Sequence, residues 1–127
     1  MLSAKVALGL LATLVVAAPV SLVHTHLVKA EPAINGTVNL APTQVRLWFS
    51  EQPELALSGA SLMKEDHSPV AVIKLAATDD TLSIGGPVPV ALAPGKYMVM
   101  WRTGSKDGHV VRGMYSFTYD PAAKPAP

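Results

Sequence analysis

Four histidines and one acidic neighbour carry the donor chemistry available to this chain. His24 and His26 stand one residue apart in "SLVHTHLVKAEPA", where an apolar run gives way to a polar segment. His67 sits in "EDHSP", and His109 follows Asp107 by two positions in "SKDGHVV". Imidazole nitrogens and carboxylate oxygens are metal ligands when several converge. Loops and chain starts, where His24, His67 and His109 fall, offer side chains to a ligand instead of burying them. If the Asp107–His109 piece is extended, its two side chains project to one side and can share one ion. Asp-Gly is also a common hairpin-turn dipeptide that needs no metal. Both readings stand at this level.

The elements that must position these donors are short strands. In "TQVRLWFS", Val45, Leu47 and Phe49 alternate with Gln44, Arg46 and Trp48, the period of a half-buried strand. "GKYMVMWRT" sets Tyr97, Val99 and Trp101 on one face and Met98, Met100 and Arg102 on the other. "GMYSFTY" repeats the pattern with Tyr115, Phe117 and Tyr119, so His109 falls in the connection between the two clearest strands. Leu27 to Ala30, Ala60 to Lys64, Val70 to Leu75 and Thr81 to Ile84 are further candidates. About seven short strands separated by Pro and Gly predict an all-β, Ig-like antiparallel sandwich or Greek-key barrel. No amphipathic helix competes, and the tail "DPAAKPAP", whose residues 121–127 follow the last strand, is expected to be disordered.

The start of the chain reads as an export signal. Lys5 precedes a run from Val6 to Val23 that contains no charged side chain. That length also reaches the lower limit for an uncleaved membrane anchor, but Pro19 and Ser21 favour a processing region. Residues 1–23 are therefore read as the signal, and residues 24–120 as one exported domain. Val23 is a poor residue to precede a signal-peptidase cut, and a cut after Ala18 would start the chain at Pro19. Lys and Arg number 10 against 9 Asp and Glu, so loss of Lys5 leaves a neutral balance and no electrostatic case for nucleic acid. The chain has no cysteine, which excludes disulfides, thiolate chemistry and a Cys-ligated blue-copper centre.

The segments "HTHLVKAEPA", "APTQVRLWFSE", "DHSPVAV" and "LAPGKYMVMWRTGSKDGHVVRGMYSFTY" together resemble the CopC-type copper-resistance proteins of the periplasm, in the family's order and at similar separations. The resemblance implies a seven-stranded Greek-key β-barrel, similar to the cupredoxin fold, that binds Cu(II) without catalysing a reaction. It implies that the first residue after signal removal is a histidine binding copper through its ring and its freed amine. The family's "HxxLV" falls on His24, Leu27 and Val28. The family's D-x-H falls on Asp107 and His109. Such a tetragonal nitrogen and oxygen set is what Cu(II) prefers. A start at Pro19 would lose the amine ligand.

The resemblance also implies a methionine-rich Cu(I) loop near "HSP", but here only Met63 and His67 remain, so a Cu(I) site is expected to be absent or vestigial. Met98, Met100 and Met114 on adjacent strands are read as packing. His26 has two readings: part of a square-planar site with the amine and two amides, or a solvated neighbour once those amides are committed to strand pairing. The implied partners are the copper ion and a copper-transporting inner-membrane protein. No small-molecule substrate is expected, and the domain is expected to act as a monomer. A metal-free Ig-like interaction module and a copper oxygenase are the alternatives.

Overall fold

The structure, a computed structural model, describes residues 25–125 together with Gly9 and Ala12. Strand β1 spans Leu27–Glu31, β2 Thr37–Val38, β3 Gln44–Phe49, β4 Gly59–Lys64 and β5 Pro69–Ile73. β6 spans Ala76–Ala77, β7 Ser83–Pro87, β8 Gly95–Gly104 and β9 Val110–Tyr119, and a 3-10 turn occupies Leu55–Leu57. The strands form two sheets, ordered β1-β3-β7-β6 and β2-β9-β8-β4-β5, stacked as a Greek-key β-sandwich. No helix among the described residues is long and apolar enough to cross a membrane, and the Val6–Val23 run, Gly9 and Ala12 apart, lies outside them.

Alternation along each strand decides which side chains meet between the sheets. On β3, Val45, Leu47 and Phe49 are buried while Gln44, Arg46 and Trp48 turn outward. The outward Trp48 ring is flanked by the charged ends of Lys29 and Arg46, 4.3 and 4.5 Å from its centroid, which accounts for an aromatic on the outer face. Leu62 of β4, Val99 of β8 and Tyr115 and Phe117 of β9 complete the opposing inner face. There the Tyr97 ring stacks on Phe117, and Trp101 meets Phe49 edge-on across the sandwich. Burying such side chains contributes about 1.5–3 kcal/mol each, which suffices for a domain without disulfides.

All seven strands expected from the sequence are present. The expected Thr81–Ile84 strand moves to Ser83–Pro87, because Asp80 claims the preceding residues for a turn: its side chain accepts the Leu82 amide and its carbonyl the Ser83 amide. The strand then runs through Gly85 and Gly86, which a pattern reading treats as breakers. A Cβ at Gly86 would lie 2.1 Å from the Lys74 carbonyl oxygen, so this close approach needs glycine. The additions are β6 and β2, each two residues long, and β2 pairs with β9 in parallel, Thr37 opposite Thr118. Pieces this short carry no periodicity to read.

The Tyr115 hydroxyl is buried without a hydrogen-bond partner, and burial pushes its phenol well above the ordinary range. An unpaired buried hydroxyl costs about 1–3 kcal/mol. Tyr115→Phe keeps the ring and removes that cost, so urea denaturation should show a variant about 1 kcal/mol more stable than the parent. A loss of stability of that size would show that the hydroxyl has a partner after all.

Candidate metal centre

The pairing of β8 with β9 closes at Gly104 opposite Val110, leaving residues 105–109 as the tip of the hairpin. The tip is a turn: the Gly108 amide donates to the Ser105 carbonyl at 2.9 Å and the Ser105 amide to the His109 carbonyl at 3.2 Å. Gly108 has φ of 84°, in the left-handed region that glycine enters without penalty. Asp107 and His109 are therefore brought together by a turn, and the extended arrangement allowed by the sequence is not the one adopted.

The result is a direct contact. Asp107 Oδ2 lies 2.7 Å from His109 Nδ1, while Oδ1 accepts the His109 amide at 3.2 Å and the Ser105 hydroxyl. The Ser105 hydroxyl above all, then the His109 ring and amide, hold the Asp107 carboxyl well below the usual carboxylate range. An ionised carboxylate only accepts, so Nδ1 carries the proton of this hydrogen bond. In the neutral ring Nε2 then keeps its lone pair, and both side chains are exposed to solvent. Such a carboxylate–imidazole pair is how proteins fix the tautomer and aim of a ligating histidine. Ser105 is the member a search by ligand type overlooks, although its position in "SKDGH", two residues before Asp107, is the available signal.

The segment leading into β1 is fastened near this tip. His24 lies outside the described residues. At Thr25 the chain is already buried, its hydroxyl donating to Glu51 at 3.0 Å. The His26 amide donates to Ser50 Oγ at 3.0 Å, and its carbonyl accepts the Ser50 amide at 2.9 Å. A few residues on, the Glu54 amide donates to the carbonyl of Gly104, the last residue of β8. The connection after β3 thus touches both the segment leading into β1 and the base of the Asp107–His109 tip, at one end of the sandwich. His26 itself is exposed, with its amide committed to Ser50.

His67 and Met63 belong to the other end. His67 is an exposed residue of the β4–β5 turn with φ of 68°. That turn begins at Lys64, which stands opposite Tyr97, near the start of β8. The stretch of β8 from Tyr97 to Gly104 is about 23 Å by its strand rise, so neither residue reaches Asp107 and His109. Met63 pairs with Met98 on the outer face of the sheet. Among the described residues no three His, Asp or Glu side chains converge, so Asp107 and His109 stand as a pair.

The family model for the CopC domain matches residues 27–120, and the chain belongs to the CopC family. It is similar to Protein YobA of Escherichia coli strain K12, 33% identical over 117 residues, with 91% of this chain and 94% of that one covered. It is similar to Copper resistance protein C of Pseudomonas syringae pv. tomato, 34% identical over 105 residues, covering 74% and 79%. Among solved structures, CopC from Methylosinus trichosporium OB3b superposes with a TM-score of 0.71 at 33% identity, covering 81% of this chain and 100% of that one. PcoC, a methionine-rich copper resistance protein from Escherichia coli, gives 0.67 at 35% identity, covering 76% and 99%.

Removing the strongest donor to Asp107 should raise its titration. In Ser105→Ala the carboxyl should protonate at higher pH, nearer the usual value of about 3.9. What the ionised pair adds to stability is present above the usual carboxylate range and lost as the pH falls through the lowered folded value, so the variant should lose it earlier. Carboxyl-detected NMR titration reads this, and an unchanged Asp107 curve would show that Ser105 does not set it.

Proposed function

We propose that this chain is an exported copper-binding protein that holds Cu(II) for buffering, resistance or delivery, with His24 and His109 as its principal ligands. The observation that carries the reading is the Asp107–His109 pair at the hairpin tip, at the same end of the sandwich as the fastened segment leading into β1. The copper resistance proteins among its relatives support the choice of ion. Cleavage of residues 1–23 delivers residues 24–120 to the periplasm as a copper-binding domain, followed by the Pro/Ala-rich tail. It also frees the His24 amine, which chelates the ion together with the His24 ring.

The donors divide by role. His109 binds through Nε2, the ring nitrogen that its contact with Asp107 leaves available. Asp107 aims that ring and adds negative charge next to a dication, acting first on the imidazole and only secondarily on the metal. Nitrogen from an amine and two imidazoles supplies three donors of the tetragonal set that Cu(II) favours. His26 is a neighbour of this site: a planar site through its backbone would require the amide that Ser50 engages. A copper-transporting inner-membrane protein is the partner that would receive the ion from a monomeric carrier.

The reading is tested with His24→Ala, His109→Ala, Asp107→Asn and His67→Ala in the processed protein, by competition against a Cu(II) chelator. The first two should lose at least tenfold in affinity, about 1.4 kcal/mol or more, Asp107→Asn less, and His67→Ala nothing measurable. The amine and imidazoles must shed protons to bind, so the copper-induced rise in melting temperature should shrink as the pH falls. Equal losses at His67 and His109, or a rise independent of pH, would exclude this site.

A further inference from the structure

Like charges placed directly opposite one another on neighbouring strands repel. Here Arg102 of β8 stands opposite Arg112 of β9, and Gly59 of β4 stands opposite Arg102 on its other side. Ile73 pairs with Ala60, so Lys74, the next residue, falls beside Gly59 at the far end of the same row. Ala60, Ile73 and Thr103 are buried on the inner face, which turns this row outward, and Lys74, Arg102 and Arg112 are all exposed. Among the described residues no carboxylate pairs with any of the three. Arg102 is nonetheless held in place. Its guanidinium lies over Gly59, where a Cβ would come within 3.0 Å of Nε and Nη2, and Nη1 donates to the Leu57 carbonyl at 3.1 Å. A guanidinium carries several N–H donors in a rigid fork, so most of those on Arg102 remain for a ligand.

The adjoining row is apolar apart from one hydroxyl: Val72, Ser61, Met100 and Met114 stand opposite one another in turn across the same four strands. A groove of about 510 Å³ runs between the two rows, and among the described residues no Asp or Glu lines it. We propose that this face docks an extended acidic segment of a partner protein, in which carboxylate and apolar side chains alternate. Successive side chains of an extended chain point to opposite sides. A segment laid along the groove turns its carboxylates to the cationic row and its apolar side chains to the other row, about 7 Å away along the strands. The spacing agrees: Lys74 and Arg112 are three strand spacings apart, about 14 Å, and three alternate residues of an extended chain span about 13 Å. A single oxyanion reaches only part of such a row, and a flat bilayer surface does not enter a groove, so a peptide chain is the occupant that uses the whole face. Carboxylates match the forks of the two guanidinium groups, and their charge offsets the repulsion between Arg102 and Arg112.

This surface is separate from the hairpin tip and does not depend on the Cu(II) reading. Its test is fluorescence anisotropy of the metal-free full chain with a labelled, N-acetylated heptapeptide in which Glu and Leu alternate, beginning and ending with Glu. The peptide should bind saturably at low salt, release as salt is raised, and shift the backbone amide resonances of Ser61, Met100, Arg102 and Arg112. Peptides with Gln in place of Glu, or Ser in place of Leu, should each bind the unaltered protein at least tenfold more weakly. Lys74→Gln with Arg112→Gln should weaken the Glu–Leu peptide at least tenfold and leave the melting temperature in place, because both side chains are exposed and neither forms an ion pair among the described residues. Absence of binding, full affinity in the double glutamine variant, or equal binding of the Gln peptide would each overturn the proposal. So would inorganic phosphate that displaces the peptide with equal affinity, the mark of a small-oxyanion site, or retention on phosphatidylglycerol vesicles without peptide binding, the mark of a membrane surface.

Discussion

The register of β8 against β9 constrains everything else of interest in this molecule. It runs unbroken from Gly95 opposite Tyr119 to Gly104 opposite Val110. Buried Tyr97, Val99 and Thr103 on one strand and Tyr115 and Phe117 on the other pin it. A slip of one residue would turn each of these side chains to solvent and draw the outer residues into the core. The same register closes the ladder next to Ser105–His109, so that the turn forms and the Asp107 carboxylate meets the His109 ring. It also lines up the methionines on the outer face. Packing in the core thus fixes the chemistry at the tip.

The second constraint is where the chain begins its fold. Thr25 and His26 are tied to Glu51 and Ser50 before β1 starts, and Glu54 in the same connection is tied to the end of β8. The main chain is therefore positioned one residue after His24, at the end of the sandwich that carries His109. A flexible segment would have to lose its conformational freedom on binding an ion; one already held by hydrogen bonds loses less. Under the proposed function, the export cut and the hairpin turn would each supply part of one site.

Much of this was legible in the residues. The alternation in "TQVRLWFS", "GKYMVMWRT" and "GMYSFTY" announces the strands because each has one face in the core, and Asp107 with His109 is visible as a spaced pair. Other features depend on contacts that sequence spacing does not record. The extended reading of Asp107–His109 failed because Gly108 adopts a positive φ, and Asp-Gly had signalled that turn. Ser105 becomes important only once the turn folds it back onto Asp107. The strand through Gly85 and Gly86 is invisible to a periodicity reading, because its cause is the Lys74 backbone pressing close. Met98 and Met100 share a strand face in the sequence, but their alignment with Met63 and Met114 requires the register.

The proposal that processing creates a ligand is tested by comparing two forms of one protein. The first begins at His24 with its amine free; the second is identical except that the amine is acetylated. Acetylation should lower Cu(II) affinity at least tenfold, because it removes one nitrogen donor and breaks a chelate while leaving the fold and His109 untouched. Equal affinities would contradict it, and would show that the ion is held without the chain terminus.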